Sequence, residues 1–521
     1  MIVCRGFLVF FCTLMCGNKA IDFRHHNYGE MEVYLQSIHK KCPEITKLYS
    51  IGRSTENRQL YVMEISENPG VEMPLKPNFK YIGNMHGNEV VGRELLLYLL
   101  DDICDKYLSS DKKITQLLKT TRIHIMPSMN PDGYERAREG DCSSILGRAN
   151  ANNVDLNRNF PDQFVATASN LKPEIETQNV EAWLKQYPFV LSANLHGGSL
   201  VANYPYDDDQ NMREEDSPSP DDDIFRFISK TYSYKHPEMY KGNSCGDRFP
   251  EGITNGAKWY NVAGGMQDYN YLHTNAFEIT IELECCKFPF SNRLQSIWLD
   301  HKEALYAFIN RVHMGIKGNI RFSNGTGLPN AIIDVAGPNS KRYRKHTILS
   351  CANGDYFRLL LPGDYRVKVN VGDKYLEKLV HVSDGPATIL NLLIDNNIPT
   401  SVHGELSGDV KMNVSDMLLE EPNVRVLDGS AIISNFVGDK RVPLTVHSEL
   451  MQREANPMYA DSTKTKRKRD NNLMTAVIVI SIGSLICFLA SIVLYKQVKA
   501  MRSIDTGGYK KIETEKFSEE P

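Results

Sequence analysis

The sequence predicts an α/β domain on a mixed, largely parallel twisted sheet flanked by helices, then a small all-β sandwich, then one transmembrane helix. Three observations carry this reading. Between about 24 and 313, strand-like runs ("QLYVMEI", "NFKYIGNM", "RIHIMPSMN", "FVLSANLHG") alternate with stretches of helical periodicity, the pattern of a parallel sheet with crossover helices. From about 316 to 395 the texture changes to short apolar runs cut by Gly, Pro and Asn turns, as in "AIIDVAG" and "GDYFRLLLPGDYRVKVNV", which fits two small packed sheets. Near the end, "MTAVIVISIGSLICFLASIVLY" runs from Met474 to Tyr495 without a charge. As a helix it would be about 33 Å long, enough to cross a bilayer.

Taken in order from the N-terminus, residues 1–20 read as a signal peptide: an early Arg5, an apolar run from Gly6 to Cys16 and a small-residue exit near Ala20. Residues 24–313 form the α/β domain and 316–395 the sandwich. Residues 397–472 read as a stalk that ends in "KTKRKRD", 473–495 as the span and 496–521 as a cytoplasmic tail. Lysines and arginines flank the span on both sides, so charge counting alone does not orient it. The signal peptide does, and gives a single-pass type I membrane protein with its large domains in the lumen or outside the cell. "KRKR" (466–469) offers a site for a basic-specific convertase, and "YKKI" (Tyr509–Ile512) has the form of a signal for a sorting adaptor.

The formal charge of −4 over 521 residues leaves no basic footprint for nucleic acid. Of 11 cysteines, Cys4, Cys12 and Cys16 fall in the signal peptide and Cys487 in the span. Cys42, Cys104, Cys142, Cys245, Cys285, Cys286 and Cys351 remain, an odd set that leaves at least one thiol unpaired within the chain. Asn324-Gly-Thr and Asn413-Val-Ser are glycosylation candidates.

The chemistry starts at "IGNMHGNEVVGREL" (82–95). His86 and Glu89 stand three residues apart on the turn between a strand-like and a helix-like run, where both can converge on one ion. With 14 His and 64 acidic residues, about one or two such pairs arise from composition alone, so the pair needs support. A catalytic zinc takes three protein ligands and leaves a fourth position for water. "VLSANLHGG" supplies His196, again after an apolar run and before glycine. A lone His is more often a satisfied core residue; the recurrence of strand, His and Gly shifts the reading to a metal.

Six stretches in order, "HGNE", "MPSMNPDGYE", "DLNRNFPD", "ANLHGG", "GITNGAKWYNVAGGMQDYNY" and "FEITIELECCKFP", resemble the zinc metallocarboxypeptidases, in particular their regulatory (carboxypeptidase N/E) branch. The similarity spans roughly 25–395, because that branch carries a small transthyretin-like sandwich after its catalytic domain. In layout the chain is similar to the membrane-spanning, D-like members, with one catalytic domain where those string several together. The resemblance implies one Zn2+ per catalytic domain, with His86, Glu89 and His196 as ligands. "FEITIELE" offers Glu278, Glu282 and Glu284, and strand spacing cannot choose among them; the family pattern selects Glu282 as general base. It also implies Arg148 as the stabiliser of the oxyanion, Asn157 and Arg158 as the grip on the substrate's C-terminal carboxylate, and Tyr260 as the residue closing over substrate. An Arg fork suits a carboxylate because it binds two oxygens at once. Asn88 replaces the arginine of the digestive relatives.

In the family an Asp after the third ligand and a Gln after paired glycines shape a pocket for C-terminal Arg or Lys; here they are Asp207 and Gln267. The acid-rich loop 207–223 would also steer basic peptides through its field. Cys245 and Cys285 resemble the family's disulfide beside the active site, while Cys286 and Glu284 depart from its commonest pattern. The implied activity is removal of C-terminal Arg or Lys from peptides and proteins in the secretory pathway or at the cell surface. The alternatives are a zinc amidohydrolase of similar fold and a catalytically inactive peptide-binding module.

Overall fold

The computed structural model describes residues 23–164, 172–340, 342–371, 374–394 and 403–404. The signal peptide, most of the stalk with KRKR 466–469 and Asn413, the span 473–495 and the tail with Tyr509–Ile512 lie outside the described residues. Among the described residues, no helix is long and apolar enough to cross a membrane.

Eight strands form the first sheet: β1 (Thr46–Arg53), β2 (Gln59–Ile65), β3 (Asn78–Gly83), β4 (Arg122–Met126), β5 (Phe189–His196), β6 (Leu200–Tyr204), β7 (Ile253–Asn255) and β8 (Phe277–Leu283). Their order is β1-β2-β4-β3-β5-β8-β6-β7. Strands β4, β3, β5 and β8 run parallel through the middle. The sheet is mixed, as the sequence predicts, with antiparallel pairings at β1/β2, β2/β4 and β6/β8. Connection length explains it. A parallel crossover needs a dozen or more residues, whereas β1 reaches β2 through a short turn with Asn57 at φ 67°. Only Gly197–Ser199 separate β5 from β6, so β6 turns back and pairs with β8.

Nine described helices cover the sheet: α1 (Tyr28–Lys41), α2 (Val91–Leu108), α3 (Lys112–Thr120), α4 (Pro131–Tyr134), α5 (Ile175–Gln186), α6 (Asp222–Ser233), α7 (Gly256–Trp259), α8 (Met266–His273) and α9 (Leu294–Asn310). Helix α1 starts at a capping box in which Asn27 and Glu30 bond each other's backbone N–H. Helix α2 is buried all round from Val91 to Leu100, because it lies between the sheet and α1, α3 and α9. Strands β3 and β5 are buried along their whole length, as expected of central parallel strands covered on both faces.

After α9 the chain forms two smaller sheets. One holds β11 (Ile348–Leu349), β10 (Ile332–Ala336), β13 (Gly363–Val371), β14 (Lys374–Val382) and β17 (His403–Gly404) in that order. The other holds β12 (Asp355–Arg358), β9 (Ile316–Phe322) and β15 (Thr388–Ile389), with β16 (Leu392–Ile394) also on β9. Strand β13 alternates as a half-buried strand should, with Tyr365, Val367, Val369 and Val371 inward. The pairing of β17 with β14 takes two residues of the expected stalk into this sheet. The β region is tied to the α/β domain by buried charge. Arg358 Nη2 donates to both oxygens of Asp221 at 2.8 and 2.9 Å, and Tyr271 Oη donates to the same carboxylate at 2.8 Å.

Candidate active site

Three side chains meet where β3 and β5 end. Strand β3 stops at Gly83, and Asn84 takes a positive φ of 57° while its amide donates to the carbonyls of His86 and Gly87 at 3.0 and 2.8 Å. A Cβ on Gly87 would lie 2.3 Å from the Gly133 and Tyr134 backbone, so the turn requires glycine there. This turn presents His86 and Glu89, and the parallel neighbour β5 ends on His196. Candidate ligand atoms of the three lie within 4.8 Å of one another. Both His86 Nδ1 and His196 Nδ1 stand 3.0 Å from Glu89 Oε2, and all three residues are at most 3% exposed.

The donor set fits a zinc ion. Two imidazoles and a carboxylate form a common catalytic arrangement, and a ligating imidazole usually gives its other N–H to an acceptor. His86 Nε2 has Asp155 Oδ1 at 2.9 Å for that purpose. His196 Nε2 faces the Asn194 amide at 2.7 Å, and Asn194 Oδ1 is buried without a partner. With that amide turned over, Oδ1 accepts Nε2–H and leaves Nδ1 bare for a metal. Burial pushes the Glu89 carboxyl up, but His86 and His196 outweigh it and hold the group well below the usual range.

Strand β8 lies beside β5, and Glu282 pairs in register with His196. Glu282 Oε2 is buried and unpartnered. Burial, followed by the charge of Glu89, raises its carboxyl well above the ordinary value. The other two glutamates of "FEITIELE" part company here. Glu278 sits deeper in the sheet, bonded by Lys80, by Ser192 Oγ at 2.7 Å and by Asn270 Nδ2 at 3.1 Å. Glu284 lies beyond the strand end, 3.5 Å from Arg293.

The same cleft, about 170 Å³ in volume, is lined by Arg148, Asn157, Arg158, Tyr260 and Asp207. Arg148 Nη1 donates to Glu89 Oε1 at 3.0 Å, and its Nε donates to Asp155 Oδ2 at 3.1 Å. Asn157 Oδ1 accepts from Met266 N at 3.0 Å, and Arg158 Nη1 donates to the Asn157 carbonyl at 2.9 Å. Tyr260 is 39% exposed at the rim. Gln267 stands behind the lining and donates through Nε2 to Asp207 Oδ1 at 2.6 Å, as Asn203 Nδ2 does at 3.0 Å. Burial pushes the Asp207 carboxyl up to about 7 against the pull of Asn203.

The sequence model of the zinc carboxypeptidase family matches residues 31–304. The chain belongs to the zinc carboxypeptidase family. It is 53% identical to mouse carboxypeptidase D over 352 residues, which are 66% of this chain and 25% of that protein. It is 49% identical to the mouse carboxypeptidase N catalytic chain over 393 residues, 70% of this chain and 84% of that one. The chain thus spans about a quarter of the length of the carboxypeptidase D proteins it matches. Family membership implies Zn2+, and the His–Glu–His set is present to hold it.

Within this zinc carboxypeptidase site, four residues escaped the reading of the sequence. Asp155 stands inside the quoted "DLNRNF" yet looks like a helix-capping acid, and Asn194 looks like a polar residue in a strand. Asn203 has no motif around it. Lys287 of "CCKFP" places Nζ 3.3 Å from Glu89 Oε1; only the placement of "KFP" next to Cys286 could have marked it.

Disulfides brace the cleft from two sides. Cys245 joins Cys285, and the adjacent Cys286 joins Cys142 on the loop before Arg148. Cys42 joins Cys104, so Cys351 is the free thiol that the odd count requires. Asn324 is exposed on a tight turn, where its Oδ1 accepts from Thr326 N at 2.9 Å.

The Lys80–Glu278 pair beneath the site is fully buried on both sides. Lys80→Met would leave Glu278 without a counter-charge and is expected to cost about 3–5 kcal/mol. Urea unfolding should show a lower midpoint at an unchanged slope. An unchanged midpoint would show that the pair is not held as described.

Proposed function

We propose that the chain is a zinc-dependent exopeptidase that hydrolyses the C-terminal peptide bond of peptides and proteins and releases Arg or Lys. The observation that supports this best is one cleft in which a His–Glu–His set, the unpartnered Glu282, the Asn157–Arg158 pair and the buried Asp207 meet. One ion per catalytic domain would be held by His86, Glu89 and His196. When bound, zinc acts as a Lewis acid and brings the pKa of a water towards about 7.

The residues around it divide the remaining work. Glu282 takes the proton of the attacking water and passes it to the leaving amine; its burial raises its affinity for that proton. Arg158 and Asn157 hold the terminal carboxylate of the substrate, which selects the last peptide bond. Arg148 leaves its two carboxylates to face the carbonyl oxygen as negative charge grows there. Tyr260 closes the rim and keeps water out. Asp207 pairs with the cationic side chain of the substrate, and Gln267 and Asn203 fix its carboxylate in place.

In this reading residues 24–313 are the catalytic domain and 316–395 a transthyretin-like domain. The chain would be a type I membrane protein of the secretory pathway or plasma membrane, anchored by 473–495, with Tyr509–Ile512 open to a sorting adaptor. The identities with carboxypeptidases D and N and the three disulfides support an oxidising compartment.

The test is hydrolysis of matched acyl-dipeptides ending in Arg, Lys, Phe or Glu, with and without a chelator. Chelator-sensitive release of Arg and Lys alone is the expected result. Release from N-acyl amino acids but not peptides would favour an amidohydrolase. No turnover by folded, zinc-loaded protein would favour a binding module.

A further inference from the structure

A second cleft, about 990 Å³ in volume, opens at the opposite end of the parallel strands from the active site. The active cleft lies where the parallel strands β3 and β5 end. The second one lies where they begin: α3 forms part of its wall and leads straight into β4, and His313, which also lines it, bonds Thr121 just ahead of β4 at 2.8 Å. Six cations face this cleft from five places along the chain. They are Lys106 at the end of α2, Lys112 and Lys113 at the start of α3, Lys235 after α6, Arg311 after α9 and Lys317 on β9.

Three of the six already have partners. Lys106 pairs with Asp102 at 2.8 Å, Arg311 donates to Thr231 Oγ1 at 3.0 Å, and Lys317 donates to the Leu75 carbonyl at 3.1 Å. Lys112, Lys113 and Lys235 are exposed, and their side chains have no ion pair or hydrogen bond among the described residues. The lining includes two acids, Asp111 and Glu303. Asp111 is committed to capping α3, accepting from Lys113 N and Ile114 N. Its carboxylate offsets the positive end of the α3 dipole, so the basic character of the rim rests on the lysines themselves. In a chain of net charge −4, this rim is basic while the substrate side carries Asp207 and the acid-rich loop.

We propose that this cleft docks a linear sulfated polysaccharide. The cations are spread along a concave surface, so they match a chain of fixed anions better than a single anion or a flat lipid headgroup layer. The unpartnered ones are lysines, point charges that suit sulfates at several positions rather than one forked contact. A stiff sugar chain loses little conformational freedom on binding, whereas an acidic peptide would be ordered at a cost. Docking here turns the active cleft away from the polymer, and the acidic substrate side repels it. The enzyme could then be held on a sulfated matrix with its substrate entrance free.

Binding of heparin to the full chain tests this, read as affinity against salt concentration. The basic "KTKRKR" stretch (464–469) is a competing site, so four proteins are compared: unaltered, Lys112→Ala/Lys113→Ala/Lys235→Ala, 464–469 neutralised, and both together. The cleft triple is expected to weaken heparin binding by roughly 100-fold near physiological salt, from about a factor of five for each lysine facing a polyanion. Its dependence on salt should also become shallower. Its kcat/KM on an acyl-dipeptide should stay unchanged, because all three lysines lie on the opposite rim. Unaltered affinity in the triple, loss through the 464–469 change alone, or heparin competing with the dipeptide would each overturn the assignment. So would equal or tighter binding of poly-glutamate or anionic vesicles through the same lysines, which would give the cleft to a peptide or a membrane.

Discussion

Glu282→Gln should reduce kcat/KM for a C-terminal Arg substrate by about 10²- to 10⁴-fold, the usual worth of a positioned general base. The substitution keeps the shape of the side chain and removes its ability to take a proton. Nothing else should change much. Glu282 Oε2 has no hydrogen-bond partner to lose, and burial together with the charge of Glu89 disfavours its ionised form, so the fold should be no less stable. Zinc content is the control, since Glu282 neighbours His196 across the sheet but is outside the three-residue set. A variant with full zinc, unaltered thermal unfolding and near-normal kcat/KM would remove Glu282 from the role of base. In that event Glu278 is a poor substitute, because Lys80, Ser192 and Asn270 already occupy its oxygens.

The contrast between Glu278 and Glu282 also shows where sequence stops being informative. Both alternate to the same face of β8, and no spacing rule separates them. What separates them is the neighbouring strand: β5 sets Ser192 beside Glu278 and His196 beside Glu282. His86 and Glu89 were legible because they share one turn, so short-range spacing is enough. Lys80 was not, because a lysine within an apolar strand gives no sign of its partner 198 positions away. The choice of Cys142 by Cys286 likewise depends on where the 138–147 loop folds back. The antiparallel placement of β6 had a readable cause in the short Gly197–Ser199 link, a length constraint that outweighs the alternation of strands and helices. Asn203 and Asn194 matter only through the direction of an amide, which residue type alone does not fix.

Asp207→Asn should lower kcat/KM for substrates ending in Arg or Lys by on the order of 10²- to 10³-fold, as expected when one partner of a buried charge pair is removed. A substrate ending in Phe should change by only a few-fold, so the ratio of the two is the quantity to follow. That ratio also carries a pH signature. Burial pushes the Asp207 carboxyl up to about 7 in the free pocket, and the parameter kcat/KM reports groups of the free enzyme. Below about pH 7 the carboxyl holds a proton and has no charge with which to attract a cation; above it the carboxylate is ready. The Arg-to-Phe ratio should therefore rise about tenfold per pH unit on the acid side and level off above neutrality. Ionisations at the zinc site affect both substrates alike and cancel. The amide introduced by Asp207→Asn cannot titrate, so the ratio in that variant should be low and flat. A rising limb that persists in Asp207→Asn would assign the ionisation to another group. A flat ratio in the unaltered protein would mean that Gln267 and Asn203, which hold Asp207 Oδ1 at 2.6 and 3.0 Å, keep the carboxylate charged across the whole range.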